Sequence, residues 1–323
     1  MAFPGAIWEH VWHFSGYING PSGGVVRPLE CSKLRTLGIF VDRQALSYSR
    51  KLTLLIKCRD IAEGMGYRSY FIFPVEIKKV PKTDALFIRS RTDPLNISFI
   101  ASKMAEMHGI PVIDDSRSIQ ICSDKGNMYL HLIKVNVPVP RTEFVKKSDF
   151  SEERMGQLLE SMDGSMILKE PSTTYGNRVK KVTSLVDARR IAGSYLKMSD
   201  WIVAQEYIES DEDWKIGVLN GEFLYACRYV LPTEAQKIAA SEEGEIPDYA
   251  SECVPLDQVP EDTIDLAIKA ARAIGMGLYS VDIKQRGGRQ FVIEVNDNPS
   301  LESGEDEYYP QIYNQIISNL MER

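Results

Sequence analysis

From about residue 36 the chain alternates between short apolar runs and amphipathic stretches. Residues 36–41 form the first apolar run. Between 51 and 65, Leu54, Leu55, Cys58, Ile61, Ala62 and Met65 recur at helical spacing, and Gly64 and Gly66 mark the end of that stripe. Residues 70–73 read as a strand closed by Pro74, 84–88 as a second and 111–113 as a third, with a helical face of Ile97, Ile100, Ala101 and Met104 between the last two. Strands alternating with helices predict an open, doubly wound parallel α/β sheet, placed at 36–123.

The pattern then changes. A helix at about 123–135 leads into an extended connector at 137–142. Asp149 or Ser151 can cap a helix whose buried face is Met155, Leu158, Leu159 and Met162. Strands at 166–169 and 202–207 flank a helical face of Leu185, Ala188, Ala192 and Tyr195, which makes 124–205 a small α+β subdomain. The segment 206–323 offers strands at 214–219, 222–230, 278–284 and 290–296 and helices at 261–274 and 309–321, with a polar, aperiodic loop at 232–251. Residues 1–35 hold an aromatic cluster and a glycine-rich turn at 20–24, match no pattern, and stand as an extension without an assigned role. His10 and His13 have the spacing of a ligand pair but no further ligand cluster nearby, so packing or surface positions are expected for them.

Composition narrows the function classes. The 323 residues suffice for two or more domains at ~100–200 residues each, and 44% hydrophobic with 26% charged residues describes a globular chain. A formal net charge of −7 gives no basic footprint for nucleic acid. Cys31, Cys58, Cys122, Cys227 and Cys253 are widely spaced, without a CxxC pair, so neither a disulfide framework nor a zinc site is expected and a reducing cytoplasm fits. No apolar run reaches the ~18 residues of a membrane span, and the N-terminus lacks the pattern of a signal peptide.

The strongest chemical signal is a pair of alternating segments, Tyr279-Ser-Val-Asp-Ile-Lys284 and Gln290-Phe-Val-Ile-Glu-Val-Asn296. If their apolar faces align, Asp282, Glu294 and Asn296 gather on one polar face, as hard oxygen ligands suited to magnesium or manganese. Because a one-residue shift swaps faces, this requires an odd loop or a bulge at 286–289, and a plain two-residue turn at Gly287-Gly288 would contradict it. The competing reading is a half-exposed hairpin with its charges in water. Asn298-Pro299-Ser300 would leave the sheet in an extended turn beside the metal.

Two weaker signals accompany it. The run 169–178, opening with Lys169 and rich in Ser, Thr and Gly, can fold donors over phosphates, and no Walker sequence is present. The segment 203–209 ends in acidic and amide groups that can border an adenosine. Each alone is equally compatible with a surface loop or an ordinary strand.

In order along the chain, Asp124-Lys125, Pro138-Val-Pro-Arg-Thr142, Ile167-Leu-Lys169, Ala204-Gln-Glu-Tyr207, Asp213-Trp-Lys215, Ala226-Cys-Arg228, Val281-Asp282 and Glu294-Val-Asn-Asp-Asn-Pro299 resemble the ATP-grasp superfamily, in the branch of RimK-like glutamate ligases and glutathione synthetase. The resemblance covers 84–304 strongly and 36–83 weakly. It implies an ATP-grasp fold behind an N-terminal open α/β domain, with domains at 1–35, 36–123, 124–205 and 206–323. It also implies roles. Lys125 and Lys169 would bind ATP phosphates; Gln205, Glu206 and Ile208 would border adenine, with Glu209 or Asp213 near ribose. Asp282, Glu294 and Asn296 would hold Mg2+ or Mn2+, and Lys215 and Arg228 would face the reaction centre. Two departures stand out: Lys215 replaces the usual arginine, losing bidentate binding, and Arg178 replaces a phosphate-loop glycine near Gly176.

The resemblance further implies an ATP-dependent carboxylate–amine ligase acting through an acyl phosphate, with the 170–180 loop closing to exclude water. An amino acid such as glutamate would be added to a peptide, a protein or a small molecule, by a cytoplasmic protein that can form homo-oligomers and needs neither nucleic acid nor membrane. Arg89, Arg91, Arg178 and Arg228 are candidates for binding a substrate carboxylate, the first two because they follow a strand at the carboxyl edge of the α/β sheet. Alternatives are a kinase of a hydroxyl on the same scaffold, recognised by a stable phosphorylated product without amine, and a nucleotide-binding protein without turnover.

Overall fold

The structure is a computed structural model and describes residues 34–172, 178–210, 212–229, 251–302 and 304–323. His10, His13, Cys31, Gly176 and nearly all of the predicted 232–251 loop lie outside the described residues.

The first sheet comprises β1 (Thr36–Phe40), β2 (Arg68–Ile72), β3 (Ala85–Ile88) and β4 (Val112–Ile113), all parallel, in the order β2-β1-β3-β4. β1 and β3 are buried at every position, as expected of strands covered on both faces. Helix α1 (Arg43–Ser47) is capped by the Asp42 carboxylate, and α2 (Ser49–Gly64) packs Leu54, Leu55, Cys58 and Ala62 on one side of the sheet. Helix α3 (Ile97–Met107) sends Ala101 and Ala105 to the other. Helix α4 (Ser116–Cys122), which lacked a periodic stripe, follows β4, and α5 (Lys125–Lys134) begins where the Asp124 carboxylate accepts the Asn127 N–H at 2.7 Å.

The second sheet is antiparallel, β5-β8-β6-β7, built from β5 (Thr142–Lys146), β6 (Met166–Lys169), β7 (Val179–Val182) and β8 (Trp201–Glu206). Helices α6 (Glu152–Ser161) and α7 (Leu185–Tyr195), capped by Ser151 and Ser184, cover one face with Met155, Leu158, Ala188 and Ala192. β5 and β7 are the edge strands, too polar to register as apolar runs.

The third sheet is also antiparallel, in the order β11-β10-β9-β12-β13: β9 (Glu212–Leu219), β10 (Glu222–Tyr229), β11 (Ser251–Cys253), β12 (Leu278–Arg286) and β13 (Arg289–Asn296). One face packs Trp214, Ile216, Val218, Val281 and Val295 against α5 and α8 (Glu261–Ile274). The short α9 (Glu305–Tyr308) and α10 (Ile312–Glu322) end the chain. Ile312, Ile316, Ile317 and Leu320 of α10 lie in the same core as Leu37 and Leu54, so the last helix closes over the first sheet and sequence order does not mark packing units. Among the described residues no helix is long and apolar enough to cross a membrane.

Candidate active site

The β12–β13 hairpin decides whether the predicted ligands share a face. Arg286 pairs with Arg289, so the connection is the plain two-residue turn Gly287-Gly288, with φ of 56° and 76°, the left-handed pair that glycine tolerates. The expected odd loop or bulge at 286–289 is absent. The register instead shifts further along: Ile283 faces Val292, while Asp282 faces Glu294, which leaves Ile293 as an extra residue on β13. This β-bulge restores the parity that the turn alone would deny, and Asp282, Glu294, Ser280 and Asn296 stand on one face.

The same row continues across the sheet. Lys215 is opposite Asp282, Cys227 opposite Lys215, and Cys253 opposite Cys227. Asp282 accepts from the Tyr229 hydroxyl at Oδ1 (3.1 Å) and from Asn296 Nδ2 at Oδ2 (3.2 Å). Burial, then the facing Glu294 charge, push the Asp282 carboxyl up to about 7, against the lowering pull of Lys215, Tyr229 and Asn296. The Asp282 charge in turn holds the Tyr229 phenol well above its ordinary value. Two carboxylates directly opposite each other repel unless a cation or proton lies between them. That strain and the all-oxygen donor set fit a hard divalent cation held by Asp282, Glu294 and the Asn296 amide oxygen.

Lys125 and Lys169, both buried, come from α5 and β6. Burial lowers the Lys125 ammonium, and the charges acting on it include Glu294 and Lys169. Gly126 keeps α5 tight on β8, because a Cβ there would meet Trp201 at 2.1 Å. Lys169 Nζ donates to the Tyr129 hydroxyl at 2.8 Å. Beyond Lys169, Glu170 N–H donates to the Arg178 carbonyl at 3.1 Å, and Arg178 has φ of 53°, a left-handed position that explains why glycine suits it. Residues 173–177 lie outside the described residues.

The remaining predicted residues divide. Gln205 is buried, with Nε2 donating to Thr142 Oγ1 at 2.8 Å, and Ile208 is buried beyond the end of β8. Glu206 already pairs with Arg286 at 3.1 Å, and Glu209 is exposed. Asp213 is buried and paired with Lys284. Arg228 does not join Lys215. Strand alternation puts it opposite Trp214 on the other face, where its guanidinium lies 5.4 Å from the Trp214 ring and 3.5 Å from Glu212. The correction is one of pleat: Tyr229, one residue on, is the β10 side chain that reaches Asp282. Arg89 is buried and committed to Asn298 Oδ1 (2.7 Å) and the Pro299 carbonyl (2.8 Å), clamping the turn after β13 instead of waiting for substrate, while Arg91 is exposed. Lys215 is likewise engaged, donating to the Ser300 carbonyl at 2.9 Å and lying 3.7 Å from Glu305.

Some participants had no sequence signal. Tyr129 lay hidden in a helical stripe and Tyr229 at a strand end. Cys227, Cys253 and Glu305 are buried with ligand atoms all within 4.8 Å of one another, a cluster that wide spacing concealed. The Lys215 ammonium beside Glu305 already neutralises that carboxylate, so a cation would have to compete with it.

Comparison with known proteins agrees with this architecture. A model of the RimK-like ATP-grasp domain matches residues 122–320, well over half of the chain. The chain is 23% identical over 248 residues to a probable alpha-L-glutamate ligase of Marinomonas sp. (strain MWYL1), covering 75% of this chain and 78% of that protein. It is 25% identical over 208 residues to the glutamate--LysW ligase ArgX of Sulfolobus acidocaldarius, covering 62% and 68%. Among solved structures, D-alanine--D-alanine ligase from Bacillus anthracis complexed with ATP superposes with a TM-score of 0.67 at 17% identity, over 89% of this chain and 96% of that one. A RimK domain ATP-grasp protein from Sphaerobacter thermophilus gives 0.65 at 16% identity, over 88% and 99%. The fold and the match together define an ATP-grasp protein. The chain belongs to the RimK-like ATP-grasp family and is an ATP-dependent carbon–nitrogen ligase.

Proposed function

We propose that the protein activates a carboxylate as an acyl phosphate and transfers it to an amine, with glutamate as the amino acid joined to a peptide, protein or small-molecule partner in the cytoplasm. The observation that carries this reading is the alignment of Asp282, Glu294 and Asn296 on one face, with the buried Lys125 ammonium under the influence of the Glu294 and Lys169 charges. Asp282, Glu294 and Asn296 would hold Mg2+ or Mn2+, which when bound supplies charge neutralisation between phosphate oxygens.

Lys125 and Lys169 hold the ATP phosphates, and their burial strengthens each charge contact. Gln205, Glu206 and Ile208, at the end of β8, border the adenine, with Asp213 and Glu209 on the ribose side. Substrate carboxylate attacks the γ-phosphorus, ADP leaves, and an amine then displaces phosphate from the acyl carbon to form the amide. The chain contributes by positioning and fixed charge. Lys215 keeps the turn at Ser300 in place beside this centre. The names of the glutamate ligase relatives support glutamate as donor or acceptor, and the name of the glutamate--LysW ligase ArgX supports its joining to a second molecule.

The test is mass spectrometry of products formed from ATP, magnesium and a pool of amino acids and short peptides. A glutamate mass gain with stoichiometric ADP and phosphate is expected. A stable phosphorylated hydroxyl compound formed without amine would replace this reading with a kinase.

A further inference from the structure

The bulge that aligns the carboxylates leaves a backbone problem. β13 is an edge strand of its sheet, and Ile293 is its extra residue, without a partner on β12. Such a residue leaves the ladder, and its carbonyl needs a donor from elsewhere. The donor is Tyr129 on α5. Its hydroxyl, on a side chain with no exposed surface, donates to the Ile293 carbonyl at 2.7 Å. The same oxygen accepts from Lys169 Nζ at 2.8 Å. A phenol has one proton to give, so with Gln205 Oε1 further away at 3.2 Å the proton goes to Ile293 and the lone pair receives the ammonium. One oxygen atom therefore ties a nucleotide-binding lysine of the second sheet to the residue immediately before Glu294 in the third.

We infer that Tyr129 is a positioning residue that couples the nucleotide and metal halves of the site, through the hydrogen bonds Lys169–Tyr129–Ile293. The inference rests on the site assignment proposed above. A shift of Lys169 toward a phosphate pulls on the bulge, and a cation on Glu294 stiffens the same bulge from the other side. Nucleotide and cation should then bind cooperatively beyond their direct charge attraction. Neighbouring Met128 offers a control: its sulfur accepts the Val295 N–H at 3.2 Å, so it supports the same edge through a hydrogen bond in which Lys169 has no part.

The experiment uses the full chain and measures Mn2+ affinity by electron paramagnetic resonance, with and without ADP. The readout is the coupling factor, the ratio of the two Mn2+ dissociation constants. Tyr129→Phe keeps the ring and removes the oxygen. Its coupling factor should fall roughly tenfold, in line with loss of a hydrogen bond to a charged group. Met128→Leu, of similar volume, should lower thermal stability comparably while leaving the factor within about twofold. Should Tyr129→Phe fail to fold, 3-fluorotyrosine at position 129 preserves both ring and hydroxyl but is a poorer acceptor, and must lower the factor in the same direction. A factor unchanged in these variants, or lowered equally in Met128→Leu, overturns the inference. Wild-type protein whose Mn2+ binding ignores ADP would overturn it together with the site assignment, and that outcome is distinguishable because it appears before any substitution.

Discussion

The two faces of the β9–β13 sheet come from the same five strands and differ at their β12–β13 end. One buries Trp214, Ile216, Val218, Val281, Ile283 and Val295 under α5 and α8. The other carries Lys215, Asp282, Glu294 and Asn296 in register. The first face draws on apolar burial, at about 25 cal/mol per Å2, and its volume-filling side chains could be exchanged for others of similar size. The second buries Leu219, Tyr225, Cys227 and Leu278 at one end and at the other holds the Asp282 and Glu294 carboxylates opposite each other, a pairing that disfavours folding locally. The first sheet, covered on both sides, has no free face for such groups. The antiparallel sheet can carry the charged row because its second face is left partly uncovered at the β12–β13 end, where Asp282 and Glu294 are only half-buried.

The comparison predicts unequal effects from neighbouring positions. The largest should come from Asp282→Asn combined with Glu294→Gln. ATP-dependent amide formation should fall by roughly a thousandfold or more, since the phosphoryl charge loses its counter-ion. Thermal stability without metal should hold or rise, because a repulsion is removed. Intact turnover in this double variant would end the distinction between the faces. Next come Lys215→Ala and Arg228→Ala, one step apart across the pleat. The first removes the buried ammonium that lies 3.7 Å from Glu305 and holds Ser300, and should cost roughly 3–5 kcal/mol in urea unfolding. The second breaks a half-exposed pair with Glu212 and should cost at most about 1 kcal/mol, with turnover changed only a few-fold. The reverse ranking would mean that Arg228, on the face with Trp214, is the residue at the reaction centre.

A smaller effect should appear with pH. The Asp282 carboxyl is raised in the folded state to about 7, so the folded protein binds a proton more tightly than the unfolded chain does. The stabilising effect is complete below the ordinary carboxylate range and is lost as pH rises through about 7. In chelator, melting temperature should therefore decline over that window more in the wild type than in Asp282→Asn. Added magnesium should reverse the trend, since its affinity rises as the competing proton leaves. Melting curves with and without magnesium from about pH 5 to about pH 8 would check both signs.

Part of the candidate site's geometry was legible in the sequence, and the rest was hidden for physical reasons. Asp282 and Glu294 were visible because a strand with one apolar face labels its other face. The bulge at Ile293 was not, because it inserts an ordinary β-branched residue among ordinary neighbours, and only the pairing with β12 exposes it. Arg228 was misplaced for a related reason: the motif fixes its position along β10 but not the side of the sheet, which depends on register against Lys215. Arg89, a candidate for binding a substrate carboxylate, clamps the turn at Asn298 and Pro299 instead, because those residues arrive from more than 200 positions away. β5, β7 and α4 lacked a hydrophobic signature and are held by their neighbours.

The sequence by itself determined most of the strands and helices, many of the apolar faces, and which residue types can meet a phosphate or a hard cation. These follow from local periodicity and side-chain chemistry. Only the tertiary structure decided that α10 closes over the first sheet, that one extra residue brings Asp282 to Glu294, and that a single tyrosine oxygen joins Lys169 to their strand. Those are matters of register and long-range contact, and a shift of one residue, invisible in composition, exchanges the two faces of a sheet.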